Sequence, residues 1–362
     1  MKQIIDYSPQ FFNGKKVLVR VDYNVPLKKS EKGIMVADDS RIRSSMPTLR
    51  LLIEAKARVI LLSHLGRPQK DFDSNLSLAP IAQKLNEIAF GLIGYKKKVL
   101  FSPKVIGSLA KNKVKELEKG QILLLENLRF YPEEEINEPN FTKRLARLGH
   151  FYVNDAFSVS HRDHASIVGL PRILPSAIGL ALTKEVDNLR KILDSPLRPV
   201  VLVVGGIKED KLKFAGQAVD WADKVLLGGL LPVKIAKFSK LIENKKIIIG
   251  NLRADKQDLT KESLKEFQSI IKQAKMVIFA GPISNIDKGH WQGTRSVFEA
   301  AIKAGSFLVA GGGDTEAALT KLNLIDSINY IVSGGGAMLY FLNQGTLPGI
   351  EALKNDQKSN KN

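Results

Sequence analysis

Residues 199–214 read PVVLVVGGIKEDKLKF. An apolar, β-branched run stops at Gly205-Gly206, and Lys208, Asp210, Lys211 and Lys213 follow. A continuous apolar run bounded by glycines reads as a strand buried on both faces, the kind found in parallel sheets. Two glycines at its end let the backbone approach a ligand closely, and lysines behind them point to phosphate. The stretch is not the G-x-x-x-x-G-K-[ST] phosphate loop, which occurs nowhere in the chain.

Working outward, the same pattern recurs in KVLVRV, RVILLSH, QILLLENL, FYVNDAF, KVLLGG, KIIIG, MVIFAGP, SFLVAGGG and NYIVSGGG. The intervening stretches have helical periodicity, as in SMPTLRLLIEAKA and SLAPIAQKLNEIA, each opening with a serine and an early proline. Strands alternating with helices predict parallel sheets covered on both faces. At 362 residues the chain exceeds one typical core, so two Rossmann-like three-layer α/β/α domains are expected. Leu182, Val186, Leu189 and Leu193 fall on one helical stripe, with Pro196 and Pro199 beyond it, which reads as a hinge helix. The boundaries expected are residues 1–178 for the first domain, 179–198 for the hinge and 199–340 for the second domain. Residues 341–362 form a terminal segment with a polar, frayed tail.

Composition narrows the function. There are no cysteines, which excludes disulfides, thiolate metal sites and cysteine nucleophiles. No apolar run approaches the roughly 20 residues of a membrane span, and MKQIIDYSPQ lacks a signal peptide's apolar stretch. A cytoplasmic protein is the expectation. The net charge of +18 fits nucleic acid, an anionic small substrate or a lysine-rich surface. Runs such as YKKKVL and KNKVKELEKG read as a solvated face, and no nucleic-acid motif accompanies them.

In open α/β sheets ligands bind at the carboxyl ends of the strands. The first-half strands end in charged or polar residues: Arg20, Asp22 and Asn24; His64 and Arg67; Glu126, Asn127 and Arg129; Asn154 and Asp155. The second-half strands end in glycine. Arginine forks grip carboxylates and phosphates bidentately, and glycine loops before helices cradle phosphate chains. Two ligands on two domains imply a transfer between them, with closure bringing them together.

Individual residues carry two readings each. Arg41 and Arg43 in ADDSRIRSSMP suit either a helix start with surface arginines or an anion site. The H-x-x-H of VSHRDHAS (His161, His164) has metal spacing without a nearby third ligand, so a basic anion site around Arg162 is the preferred reading. In GGGDT, Asp314 is either a helix cap or the acid that meets the Mg²⁺ of a nucleotide. No G-x-S-x-G or H-E-x-x-H is present. A kinase acting on a carboxylate needs no base, because the acceptor is already ionised at neutral pH. Abundant arginines without a base therefore fit acyl-phosphate chemistry.

Taken together these residues resemble phosphoglycerate kinases over nearly the whole chain. The matching stretches are VLVRVDYNVPL, DDSRIRSSMPTL, SHLGRP, LLLENLRFYPEEE, YVNDAFSVSHRDHAS, VAGGGDTEAAL, SGGGAMLYFL and LPGIEAL, in order. The resemblance implies Mg²⁺-dependent phosphoryl transfer between 1,3-bisphosphoglycerate and ADP, giving 3-phosphoglycerate and ATP, in a monomer with no nucleic-acid partner. It also implies a C-terminus that returns to the first domain. It places Asp22, Asn24, Arg41, His64, Arg67, Arg129 and Arg162 in the phosphoglycerate pocket, with Arg41 on the transferring phosphoryl group. On the nucleotide side it places Lys208 as the catalytic lysine, together with Lys211, Gly228, Gly229, Asp287, Gly311, Gly312, Gly313, Asp314 and Thr315. Asp314 would meet the metal through Mg-nucleotide, and Gly334, Gly335 and Gly336 would supply backbone N–H groups to the transition state.

The nucleotide half departs from the family pattern. G-G-A-K-V-S-D-K is GGIKEDK here, one residue shorter, which leaves Lys211 or Lys213 as the second lysine. Leu230 replaces a third glycine, Ala280 an asparagine and Asp287 a glutamate, and the D-x-G-P-x-T segment is missing. A shortened nucleotide lobe is therefore expected. An active kinase is the first reading. A relic that binds phosphoglycerate with little turnover, or an enzyme using another phosphate donor, is the alternative.

Overall fold

The computed structural model describes residues 1–31, 33–69 and 72–359, with side chains of the last helix described as far as Lys354. The chain divides into two compact units, Met1–Val186 with Leu347–Asn362, and Asp187–Thr346. The division falls within the helix Leu180–Asp194, whose stripe residues Leu182, Val186 and Leu189 are buried.

The first unit carries β1 (Lys16–Arg20), β2 (Leu27–Ser30), β3 (Gly33–Val36), β4 (Arg58–Leu62), β5 (Leu100–Ser102), β6 (Ile122–Leu125), β7 (Phe151–Asn154) and β8 (Ser176–Ile178). Six of these form one parallel sheet in the order β5-β6-β4-β1-β7-β8, and β2 and β3 make a separate antiparallel pair. β1, β4, β6 and β7 are almost wholly buried, as their unbroken apolar runs require once helices cover both faces.

The second unit carries β9 (Val200–Val204), β10 (Lys224–Leu227), β11 (Ile247–Ile249), β12 (Met276–Ala280), β13 (Phe307–Gly311) and β14 (Tyr330–Val332). All are parallel, in the order β11-β10-β9-β12-β13-β14. Two parallel sheets flanked by helices are the α/β/α architecture that the alternating pattern implies.

The strand orders locate the sites. The direction of winding reverses between β1 and β7 in the first sheet and between β9 and β12 in the second. Such reversals open a crevice at the carboxyl ends of the adjoining strands. Among the described residues no helix is long and apolar enough to cross a membrane.

Within the first unit, Asp155 follows β7 and holds the start of the helix Leu180–Asp194. Its Oδ1 accepts the N–H groups of Ala181 at 2.8 Å and Leu182 at 3.3 Å, and its buried Oδ2 has no hydrogen-bond partner. Burial pushes the carboxyl up to about 7, against the opposing pull of its hydrogen bonds. A folded-state pKa above the unfolded value gives stability that is complete below about pH 4 and lost as pH rises through 7. Asp155→Asn keeps the cap acceptor and removes the titration. A tenfold change in proton affinity is worth about 1.4 kcal/mol. We therefore expect the variant to match the wild type near pH 4 and to exceed it by roughly 2–4 kcal/mol at pH 8. Urea unfolding at both pH values checks this, and parallel stability curves for the two proteins would contradict it.

Candidate active site

At the β1/β7 crevice, Arg20 is 1% exposed, an unusual place for a guanidinium. Its Nε donates to Ser166 Oγ at 2.9 Å, its Nη1 donates to the Val21 carbonyl, and its Nη2 lies 3.3 Å from His64 Nδ1. Two residues on, Asp22 accepts from Arg41 Nη1, from Ser158 Oγ and from the Asn24 N–H at 3.0 Å. Burial alone pushes the Asp22 carboxyl up. Arg41, His64, Ser158 and the Asn24 N–H outweigh it and hold the group well below the usual carboxylate range. Asp22 is thus an ionised anchor that fixes the Arg41 guanidinium from the short helix Ser40–Ser44.

Asn24 turns its Oδ1 to the Gly66 N–H at 2.8 Å and so positions the SHLGR loop. Gly66 takes φ +61°, where a β-carbon would strike Leu76, so a side chain there is strained on both counts. His64 in this loop is 4% exposed. Burial drives its imidazole well below its usual value, Asp22 opposes this, and Arg20, Arg129 and Arg41 reinforce it. His64 is therefore a neutral hydrogen-bonding ring at neutral pH, and the arginines are the cations of the site. Arg67, exposed, extends from the same loop.

Arg129 follows β6. Its Nη1 donates to the Gly66 carbonyl at 2.7 Å, and its Nε lies 2.9 Å from Glu135 Oε1, off the N–H axis. Its pKa falls to about 10, through burial first and then through Arg162, Arg20 and Arg67, with Glu135 opposing. That mutual influence shows Arg20, Arg67, Arg129 and Arg162 converging. Arg162 is half-buried on the loop after β7. This loop is buttressed by the C-terminal helix Pro348–Ser359, where the Gly349 N–H donates to the Ser160 carbonyl at 2.9 Å.

Several polar strand tips prove to be scaffold. Asn127 bonds the Leu65 N–H and carbonyl, the Leu76 carbonyl and the Arg129 N–H. Glu126 accepts from Ser77 Oγ and the Leu78 N–H, and Asn154 donates to Ser160 Oγ. Glu134, by contrast, joins this cluster although the sequence marks it only as part of the matching stretch LLLENLRFYPEEE, with no role. It is 1% exposed and accepts from Ser166 Oγ at 2.5 Å and from the Ser166 N–H at 3.0 Å. Burial pushes its carboxyl up to about 7, with Arg20, Ser166 and Arg129 opposing. His164 sits 3.9 Å from Glu134, its pKa pushed down to about 3 by burial and by Arg20 and Arg129. The chain Glu134–Ser166–Arg20–His64 therefore braces the anion site from behind.

In the second unit the sequence-predicted glycines gather at the carboxyl edge of one sheet. Gly205-Gly206 follow β9, Gly228-Gly229 β10, Gly281 β12, Gly311–Gly313 β13 and Gly334–Gly336 β14. Much of this glycine serves close backbone packing. The Leu230 N–H donates to the Gly206 carbonyl and the Gly229 N–H to the Ile283 carbonyl, each at 2.9 Å. A β-carbon on Gly281 would meet Lys211 Nζ at 2.5 Å.

Lys211, expected on the nucleotide side, meets backbone carbonyls in this structure. It lies on the helix Asp210–Gln217, and its Nζ donates to the Gly205 carbonyl at 2.7 Å and the Ala280 carbonyl at 2.8 Å. Burial lowers its pKa to about 8, with Asp314 opposing. It clamps the ends of β9 and β12 at the switch point, while Lys208 and Lys213 stay exposed. We expect Lys211→Met, which strands the Gly205 carbonyl and leaves the Ala280 carbonyl with only the Gly205 N–H at 3.3 Å, to cost about 1–3 kcal/mol, with a lower thermal midpoint for the second unit. Calorimetric melting checks this, and an unchanged profile would show that the clamp is dispensable.

Thr315 is likewise internal, its hydroxyl donating to the Gly311 carbonyl and accepting from the Gly281 N–H, both at 2.9 Å. Asp314 is exposed in the first turn of the helix Gly313–Lys321, whose start, Gly312, has no side-chain cap. The helix Gly335–Gln344 opens the same way after Gly334. Asp287 is exposed on a short turn.

An arginine cluster at the carboxyl edge of one parallel sheet and glycine-tipped strand ends on another are the framework of an α/β phosphotransferase. The family model for phosphoglycerate kinase matches residues 8–248 and 233–345. The phosphoglycerate kinase of Pseudothermotoga lettingae is 36% identical over 395 aligned positions, covering 96% of this chain and 97% of the relative. That of Gloeobacter violaceus is 37% identical over 402, covering 94% and 96%. Among solved structures, phosphoglycerate kinase from Pyrococcus horikoshii superposes with a TM-score of 0.79 at 27% identity, covering 99% of this chain and 100% of the other. The chain belongs to the phosphoglycerate kinase family. The reaction is phosphoryl transfer between 1,3-bisphosphoglycerate and ADP, giving 3-phosphoglycerate and ATP. The relatives are matched over nearly their full length, so no lobe is lacking. The first alignment is nonetheless longer than the 362-residue chain, which places gaps inside it.

Proposed function

We propose that the first unit holds 3-phosphoglycerate through Arg67, Arg129 and Arg162, with Asp22, Asn24 and His64 shaping the pocket, while Arg41 meets the transferring phosphoryl group. The gathering of guanidinium groups about His64 and Arg129 supports this reading most directly. Five arginines (Arg20, Arg41, Arg67, Arg129, Arg162) are accompanied by three carboxylates (Asp22, Glu134, Glu135), an excess of positive charge that suits a small polyanion.

On the second unit, Lys208 is the exposed cation nearest the β9 glycines and is proposed to meet the transferred phosphate. Lys213 is the exposed candidate for the second cation now that Lys211 is committed to backbone carbonyls. The uncapped helix starts after Gly312 and Gly334 present N–H groups suited to phosphate oxygens. Asp287 is proposed to meet the ribose. Among the described residues no cluster of three His, Asp or Glu side chains is placed to hold a metal. A nucleotide-borne Mg²⁺ needs only one protein carboxylate, because phosphate and water supply its other ligands, and exposed Asp314 fits that need. When bound, the metal supplies neutralisation of phosphate charge.

The chemistry then asks little proton handling of the chain. The 3-phosphoglycerate carboxylate is ionised at neutral pH, attacks the γ-phosphorus of ATP, and the bond to the ADP oxygen breaks. The contribution of the protein is positioning and charge. It acts, in this proposal, as a cytoplasmic monomer on small anions.

A coupled assay with 3-phosphoglycerate, Mg²⁺ and ATP tests the reading, and no turnover by folded protein would overturn it. One observation favours a second reading, a phosphate donor other than ATP: with Lys211 sequestered and Leu230 in place of glycine, the nucleotide side offers fewer free groups. Calorimetry with ADP, GDP and pyrophosphate separates the two.

A further inference from the structure

A second basic concavity lies on the first unit among residues that the substrate site does not use. A cavity of about 370 Å³ is lined by Gly107, Ser108, Lys111, Asn112, Lys115, Arg144 and Arg147. Lys111 and Lys115 stand four residues apart on the helix Ser108–Glu116. Arg144 lies in the last turn of the helix Pro139–Ala146, and Arg147 directly follows it. No carboxylate is in the lining, and none of the four cations has an acidic partner within ion-pairing distance among the described residues.

That arrangement is not what a merely solvated lysine face produces. On the same helix Lys113 pairs with Glu116 at 2.7 Å, and nearby Lys97 pairs with Glu118 at 2.7 Å. Like charges at i,i+4 on one helix face repel, and here Lys111 and Lys115 share one concavity with two arginines. The arginines near a helix C-terminus are favoured by the helix dipole, but Lys111 sits in the N-terminal half of its helix, where a cation is disfavoured. Gly107 begins that helix at φ +96° with no side-chain cap. Cations, an uncapped helix start and the polar groups of Ser108 and Asn112 all suit an anion, and four positive charges suit one with several.

We propose that this concavity binds a short chain of linked phosphate groups, such as an inorganic oligophosphate, at a place separate from the transfer site. The proposal does not depend on which residues carry the kinase reaction.

The test titrates inorganic tripolyphosphate by calorimetry into the full chain saturated with 3-phosphoglycerate. Three proteins are compared: wild type, Lys115→Glu/Arg147→Glu, and Lys113→Ala, which removes a cation of the same helix outside the lining. The double variant is expected to lose one binding site per chain, or to weaken it at least thirtyfold, with kcat and KM unchanged. Lys113→Ala is expected to bind as wild type. Identical isotherms for wild type and double variant overturn the proposal, as does equal weakening in Lys113→Ala, which would mark a response to net charge alone. If a single-stranded oligonucleotide binds in a way that the double variant abolishes while tripolyphosphate does not, the surface is one for nucleic acid and the proposal fails. Because all four side chains are exposed, circular dichroism and the thermal midpoint should match wild type. If the double variant does not fold, Lys111→Ala/Arg144→Ala gives the same reading.

Discussion

Arg41→Ala is expected to lower kcat by about three orders of magnitude, roughly 4 kcal/mol of transition-state stabilisation, while the KM for 3-phosphoglycerate changes less than tenfold. The reason is the geometry at Asp22. An ionised, buried carboxylate fixes the guanidinium in place and so orients its planar fork of donors. In the proposed role, a preorganised cation of this kind acts where charge is redistributed during transfer, while the other arginines would hold the ground-state anion. Arg41→Lys should recover only part of the rate, because an ammonium lacks the planar fork. Steady-state kinetics of the two variants settles the point. A kcat within tenfold of wild type in Arg41→Ala would remove Arg41 from the transfer step. A large KM change at constant kcat would recast it as a ground-state binding residue.

The long buried strands are legible in the sequence because each is an unbroken apolar run that ends at a ligand-bearing residue or a glycine. β5 and β8 are not, because Leu100–Ser102 and Ser176–Ile178 mix polar with apolar residues in only three positions, whereas the equally short edge strands β11 and β14 are apolar throughout. β2 and β3 are largely exposed: LKKS has no apolar period, and the apolar GIMV is too short to stand out from the loop around it. Strand-tip arginines are likewise readable, since a parallel sheet must point its carboxyl ends at the site. What cannot be read is which polar tips face a ligand and which hold loops together. Asn127 and Asp155 look like site residues in a linear pattern, yet the Oδ1 atom of each is committed to backbone N–H groups. The carbonyl contacts of Lys211 are hidden for a related reason. Glycines on either side leave room for its stem to turn inward to the Gly205 and Ala280 carbonyls, and spacing alone cannot separate that from a phosphate contact.

Glu134 shows the same limit most sharply, and it carries the second large effect. It sits in a run of three glutamates, where charge patterning suggests a solvated turn, but the fold buries it against Ser166 and Arg20, residues far apart in the chain. Glu134→Ala would leave the Ser166 N–H without its acceptor, and would remove the carboxyl that orients Ser166 Oγ toward Arg20 and acts electrostatically with that buried guanidinium. Removing one partner of such a buried set costs about 3–5 kcal/mol, which for a unit of this size lowers the thermal midpoint by roughly 6–15 °C. Glu134→Gln, which keeps the shape and an acceptor for Ser166, should cost much less. The pH dependence separates charge from packing. The folded-state pKa of about 7 lies above the unfolded value, so this group's stabilisation is complete below about pH 4.5 and is lost as pH rises through 7. The Gln variant lacks that loss, so its stability relative to wild type should rise between pH 5 and pH 8. The KM for 3-phosphoglycerate should increase in the Ala variant, because Arg20 and through it His64 lose their brace. Melting curves at pH 5 and pH 8 for the three proteins decide the matter. A wild-type midpoint in Glu134→Ala, or a Gln variant whose pH profile runs parallel to wild type, would mean that Arg20 is held by Val21 and Ser166 alone.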